Sequence, residues 1–392
     1  MTVTIELETV TLRKILSHLK RFVHMDSQVE PMKHFRLTVD SQTDTLNIRS
    51  SNDITHCSYN IPIVSYGRNK EDAIIIAPVT LESFARKFSS PQVKLSINSD
   101  KNKIEIKGGT TKSSMTCISG VFPSMSTEIA IAQLTMSASD LLSISQKVID
   151  TYSEDSGKAF VQAIYIEVAS NTVTTATLDG FSMSALFNFP MAHADKDFTM
   201  LLHASEFKKL LPIFSDLDTD EVIVKYHPDL VIIESGDFSC SMKSVDARYP
   251  DFRKQIPSQA EALVTINTKD FNSAVTATDS VDGMCQLDVY EDESGTYVLK
   301  VSASNTEQSY ETLVDLQTHQ GTEIGCVFSA KLLRKLLNRA NGLGYDTVDC
   351  MFTQVGTTYI LTFHPSTDKA FISLLMPVAE QTDRQKLSLD GN

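Results

Sequence analysis

An alternating strand that runs straight into an amphipathic helix occurs three times in this chain. The copies are VTIELETVTLRKILSHLKRF at 3–22, LTMSASDLLSISQKVID at 134–150 and LVTINTKDFNSAVTATD at 263–279. Setting Leu7, Met136 and Ile266 equivalent gives intervals of 129 and 130 residues. A second helix recurs in the middle of each copy: APVTLESFARKFSS, LHASEFKKLLPIFS and FSAKLLRKLLNRA. Aligning Pro78, Ala204 and Ala330 spaces these helices at 126 and 126. Self-similarity at a fixed period means that one supersecondary unit has been repeated, which constrains the fold more than any single motif.

Each second helix is followed by hairpin-like strands, VKLSINSDKNKIEIKG, VIVKYHPDLVIIESG and DTVDCMFTQVGTTYILTF, which alternate around Asn, Asp and Gly turns. The unit therefore reads strand, helix, several strands, helix, several strands. Two helices on one face of antiparallel sheet make an α+β domain. We expect domain 1 at 1–130, domain 2 at 131–260 and domain 3 at 261–379, with a polar and disordered tail at 380–392. The joints fall in FPSMSTEIA and IPSQAEA. Ser139 and Asp140 are N-cap candidates for the first helix of domain 2, and Pro212 should end or kink its second helix.

The net charge is −14, which by itself disfavours nucleic acid as a partner. Its distribution reverses that inference. The six helical windows 10–24, 79–88, 138–150, 204–214, 268–279 and 330–340 hold 14 Lys and Arg against 6 Asp and Glu, leaving 21 against 43 elsewhere. The helices are thus +8 and the remainder −22. In the last window Leu332, Leu333, Leu336 and Leu337 form an apolar stripe opposite Lys331, Arg334, Lys335 and Asn338. In the first, Leu12, Ile15, Leu16, Leu19 and Phe22 oppose Arg13, Ser17, Lys20, Arg21 and His24. Windows 138–150 and 268–279 are each −1. A polyphosphate crossing the helices accounts both for the bases gathered there and for the acids kept elsewhere. The candidate DNA-binding residues are Arg13, Lys20, Arg21, Arg86, Lys87, Lys147, Lys208, Lys209, Lys331, Arg334 and Lys335.

Chemistry-bearing motifs are absent from the sequence. Asp216, Asp218 and Asp220 open like a calcium loop, but Glu221 stands at the sixth position and His227 at the twelfth. GGTTKS at 108–113 lacks the phosphate-loop spacing, and no HExxH or GxSxG occurs. The six cysteines never form CxxC and read as buried, reduced thiols. We expect no enzyme, no metal and no cofactor. No run of apolar residues is long enough to span a bilayer, and the first residues do not resemble a signal peptide, so a cytoplasmic protein without membrane contact is expected. The alternative to a DNA-binding module is a repeat-built interaction scaffold whose basic helices only solubilise it.

VDARYPDFRKQIP at 245–257 resembles the stretch that ends the second domain of the bacterial DNA polymerase III β subunits, the sliding clamps. ATLDGF at 176–181, SNTEQ at 304–308 and LMPV at 375–378 are similar, in order, to three further stretches of that family. The resemblance implies a head-to-tail homodimer closing a six-domain ring lined by twelve helices. Such a ring would hold a polymerase on double-stranded DNA by topology, without sequence preference. It implies as partners the DNA polymerase catalytic subunit, a clamp loader and other proteins carrying a clamp-binding motif. The seam would join domain 1 to domain 3 of the second copy, near 112–118 and 310–316.

The resemblance also implies a partner-peptide pocket formed by Val161, Leu178, Gly180, Phe181, Ser182, Met183, Pro250, Lys254, Gln255, Leu374, Met376, Pro377 and Val378. This chain departs from the family pattern in having Leu178 for a usual Thr, Phe181-Ser182 for His-Arg and Ala379 for a basic residue. Ala159 and Phe160 replace the family's DNA-contacting tyrosines. In the tail, QKLSL at 385–389 resembles the Gln-then-Leu peptides that bind clamps, which implies a segment able to compete for the pocket.

Overall fold

The computed structural model describes residues 2–124, 129–154, 157–190, 193–217, 219–281 and 283–378. The predicted strand–helix junctions are all present. Thr2–Glu8 leads into α1 (Thr9–Leu19), and the strand ending at Pro78 is followed by α2 (Thr80–Ala85). Ala132–Ser137 leads into α3 (Ala138–Val148), and Phe198–His203 into α4 (Ala204–Phe214). Ala262–Asn267 leads into α5 (Thr268–Asp279), and Ile324–Ser329 into α6 (Ala330–Gly342). Three strands follow each of α2, α4 and α6, so the threefold order of elements is the one expected. Leu7, Met136 and Ile266 are all buried at the same point of the repeat.

Several local expectations need correcting. The cap of α3 is Ser137, whose Oγ accepts from the Asp140 amide at 2.9 Å. Ser139 and Asp140 lie inside the helix, one turn too late to reach the free amides of its start. Pro212 does lie at the end of its helix, as expected: it sits in the last turn of α4, which stops two residues later. On α6 the buried stripe is Leu333, Leu336, Leu337 and Ala340, while Leu332 is only half-buried at its edge.

Two compact units emerge, residues 1–142 with 191–245 and residues 143–190 with 246–392. The first contains a five-stranded sheet in the order Ser65–Tyr66, Thr2–Glu8, Gln92–Asn98, Lys103–Gly108, Thr111–Thr116. It also contains a nine-stranded sheet that crosses from the first repeat to the second where Thr55–Pro62 pairs with Phe238–Lys243. Cys57 and Cys240 face each other there, Sγ to Sγ 3.1 Å, and all six cysteines are buried thiols. Burial drives both of the titrations resolved deepest in the core, Cys57 and Cys350, upward, so these thiols act as apolar filling.

In the second unit one antiparallel sheet runs from Ala163–Ala169 through Thr172–Leu178 and Ser182–Pro190 to Phe371–Leu375, and on through the strands of the third repeat. The second and third repeats are therefore fused by main-chain pairing between Ser182–Pro190 and Phe371–Leu375. Under it lies a core built on Phe271, Phe328, Phe352, Phe363 and the leucines of α6.

Candidate nucleic-acid face and partner pocket

The cations of the first repeat gather around one acid. Glu82, only 2% exposed on α2, receives Lys20 at 3.0 Å on one oxygen and Arg86 on the other. Arg13 Nε donates to the Ala85 carbonyl at 3.0 Å, and the Lys87 ammonium lies 4.9 Å from the Phe84 ring centre. Arg21 is exposed. The buried carboxylate thus fixes two cationic side chains without placing an acid on the surface, so the solvent side of α1 and α2 stays positive.

In the second repeat Lys209 bonds Glu206 at 2.6 Å, and that buried carboxylate also accepts from Asn52 Nδ2 at 2.9 Å. Lys208 is exposed on the same helix. In the third, Arg334 reaches Asp279 at the end of α5 at 2.7 Å, and Lys331 is exposed. Lys331, Arg334, Lys335, Asn338 and Arg339 line a concavity of about 610 Å³ with Asp150.

Lys147 is a different case and leaves the candidate face. Its ammonium bonds Asp368 at 2.5 Å with the side chain 13% exposed. Burial opposes ionisation of Asp368, but Lys147 and the Tyr345 hydroxyl (2.6 Å) outweigh it and hold the carboxyl below its ordinary range. Beside this pair Arg339 binds Asp150. Together the two ion pairs tie the C-terminal end of α3 and its following turn to the third repeat.

The pocket residues meet on three adjacent strands. Leu178 lies opposite Met183, and Met183 opposite Leu374, and these side chains share a cluster with Ala176, Ala185 and Phe252. The turn between the first two strands is held by Asp179, whose carboxylate accepts from the amides of Phe181 (2.9 Å) and Ser182 (2.6 Å) and from the Ser182 hydroxyl (2.8 Å). Gly180 takes φ +94° at its tip. This turn presents Phe181 to solvent, 66% exposed, and its carbonyl accepts from the Met376 amide at 2.8 Å. Met376 is itself 37% exposed, so two large apolar side chains stand side by side on the rim. Val378 is fixed next to them by its amide bond to the Val327 carbonyl at 2.9 Å, and Pro377 between them is half-buried.

Pro250 belongs to an adjoining cavity of about 490 Å³ lined by Tyr165, Arg248, Tyr249, Asp251, Phe252 and Arg253. Lys254 and Gln255 are exposed on the short turn that follows, Lys254 paired with Asp251 at 3.1 Å. Val161 is buried in the turn Ala159–Gln162 and is not part of the shared cluster. Ala379 and the tail 380–392 lie outside the described residues, as does Asp218 of the rejected calcium loop.

Sequence reasoning missed the aromatic wall of this site. Tyr165, Tyr249 and Phe252 pack with ring centres 5.0 to 6.0 Å apart, and Arg253 lies over Phe252 while binding Glu167. Burial pushes the Tyr249 hydroxyl well above its usual titration, and it donates to the Ala176 carbonyl at 3.3 Å. Tyr249 and Phe252 stood inside the 245–257 stretch. Tyr165 carried only the weak signal of an aromatic on the alternate, half-buried side of a strand.

Among the described residues, both segments proposed for the seam have one side open over most of their length, although Ile118 bridges Ile76 and Leu316 pairs with Ile266. Thr111–Thr116 is the last strand of its five-stranded sheet. Within the long strand Ser309–Gly321, residues 309–315 pair on one side with Tyr297–Ser304, whereas pairing on the other side begins only at Leu316. Leu313, on that open stretch, is 54% exposed.

No protein-family model matches the sequence. The beta sliding clamp of Rickettsia felis is 20% identical over 391 residues, covering 95% of this chain and 98% of that protein. Among solved structures, the DNA polymerase III beta subunit of Thermotoga maritima superimposes with a TM-score of 0.86 at 15% identity, over 96% of this chain and all of that one. A sliding clamp from Pseudomonas aeruginosa bound to griselimycin gives 0.85 at 14% identity, over 97% and 100%. The chain has the sliding-clamp fold. Within that class it is built, over 96% of its length, like the β subunit of DNA polymerase III of Thermotoga maritima.

Proposed function

We propose that the chain is a DNA sliding clamp, a processivity factor made of three clamp domains at 1–130, 131–260 and 261–379. Two copies close head to tail around duplex DNA. The carrying observation is that an acidic chain gives the helical windows of a threefold repeat a net charge of +8 while the remainder carries −22. Phosphate contacts from Arg21, Lys208 and Lys331, with Lys20, Arg86 and Lys87 behind them, give affinity without sequence preference and let the ring slide. Closure comes from sheet edges at 111–116 and 309–315, since a heterologous contact that closes yields a ring rather than a filament.

The pocket around Leu178, Phe181, Met183, Leu374 and Met376 receives short peptides of the polymerase catalytic subunit and of other clamp-binding-motif proteins. A separate clamp loader opens the ring. Such a clamp performs no catalysis and works in the cytoplasm. Among the described residues no helix is long and apolar enough to cross a membrane.

Light scattering should give twice 43.4 kDa, and loaded protein should stay on a nicked circle but leave linear DNA. A monomer never retained on circles defeats the proposal. The pair Arg21→Ala and Lys331→Ala is expected to weaken duplex affinity on the order of tenfold at low salt and to flatten the log–log salt slope by about 2. An unchanged slope removes these residues from the DNA face.

A further inference from the structure

Two arginines stand against each other on the solvent face of the nine-stranded sheet. Strands His34–Asp40, Thr45–Ser51 and Thr55–Pro62 are adjacent and antiparallel, and their pairing puts Arg36 opposite Arg49 and Arg49 opposite Ser58. Alternation settles the face: Phe35, Leu37, Ile48, Cys57 and Tyr59 are buried on the core side, and Arg36 and Arg49 point the other way. Like charges directly opposite on neighbouring strands destabilise a sheet. Here both side chains are half-buried, which strengthens the repulsion.

A carboxylate would relieve it, and the chain has 49 acids. Among the described residues neither guanidinium has an ion-pair partner, and the one hydrogen bond made by the two is from Arg49 Nε to Asn47 Oδ1 at 2.7 Å. Along the same row the next residues are Ser58, Ser239 and then Glu234, which Lys225 already binds at 2.5 Å. The neighbouring row holds His56 opposite Ser241, and the Ser241 hydroxyl is fully buried without a hydrogen-bond partner. Burial first, and the charge of Arg36 second, lower the basicity of Arg49, and Lys243 adds to the positive field at His56.

We propose that Arg36 and Arg49 clamp a phosphate dianion on this face. One carboxylate is matched by one guanidinium, whereas two forks side by side present two charges and parallel donors to a tetrahedral anion bearing two charges. Among the described residues no Phe, Tyr or Trp lies on this face of the three strands, and its rings are the imidazoles of His34 and His56, so the site reads the phosphoryl group rather than a base. The dianion can be free phosphate or the terminal phosphomonoester of a nucleic acid. The proposal does not depend on the clamp reading.

Thermal unfolding in orthophosphate against chloride at matched ionic strength tests it. At ten times the dissociation constant the unfolding equilibrium should fall about elevenfold. Arg36→Gln and Arg49→Gln should each remove that gain, yet unfold no more readily than the native chain in phosphate-free, low-salt buffer, because each relieves the repulsion. A gain that persists in both variants, or a loss of stability without phosphate such as a structural arginine would give, overturns the proposal. A 5′-phosphorylated oligonucleotide that binds more tightly than its 5′-hydroxyl twin, with the difference lost in Arg49→Gln, identifies a nucleic-acid end as the source. Equal binding of the two leaves free phosphate as the ligand.

Discussion

Replacing Phe181 and Met376 together by alanine should lower affinity for a polymerase-derived peptide about 100-fold, or roughly 2.7 kcal/mol, with no change in melting temperature. Both side chains already face water, 66% and 37% exposed, so truncating them opens no cavity in the folded protein. Their backbones are joined by the Met376 amide and the Phe181 carbonyl, which presents the pair as one rigid apolar step beside the Leu178–Met183–Leu374 floor. A peptide leucine or phenylalanine that covers them removes apolar surface worth about 25 cal/mol per Å², and anchors of this kind dominate small interfaces. The floor is a worse place to test. Met183→Ala, at 3% exposure, should cost about 2–5 kcal/mol of stability, and lost binding would then report unfolding. Titration calorimetry on the rim double variant settles the matter, and native affinity in a folded double variant rules this rim out as the peptide site.

The repeat, the fold class and the helices were legible because periodicity reports which face is buried. Periodicity does not report what a surface cation touches. Lys147 counted among the basic residues of its window, yet its partner Asp368 lies 221 residues away and the two meet only because Ser182–Pro190 pairs with Phe371–Leu375. Glu82 and Glu206 counted as charges subtracted from the basic face, but both are buried beneath it and position the very cations they seemed to cancel. The two- to three-residue error at the start of α3 has the same origin, since the strand ends at Ser137, the helix begins at Ala138 and the pattern changes there without a break. The aromatic wall of Tyr165, Tyr249 and Phe252 was hidden for a related reason: its members come from a strand and a turn whose association depends on the sheet being assembled.

The largest stability effect is expected at Gly321, where alanine should cost about 3 kcal/mol or more. The strand Ser309–Gly321 changes partner along its length, and its register against Ala262–Asn267 carries an irregularity at Thr265 and Ile266. Gly321 closes that pairing at φ +106°, and an added Cβ would sit 2.0 Å from the Glu261 carbonyl oxygen and 2.9 Å from the Ala262 Cα. Neither group can retreat. The Glu261 oxygen accepts from the Thr322 amide, its own amide donates to the Phe352 carbonyl, both at 2.9 Å, and Ala262 is buried. Gly180 separates strain from collision, because it takes φ +94° with nothing within 4 Å of the added atom. Gly180→Ala should therefore cost only about 1 kcal/mol in urea unfolding. Equal losses at the two sites would show that backbone conformation alone sets the cost and that the collision is relieved. Residues 309–315 of the same strand form the free edge assigned to ring closure, so Gly321→Ala should also weaken the dimer. Light scattering on Gly180→Ala, whose turn lies away from that edge, should by contrast still return twice the chain mass.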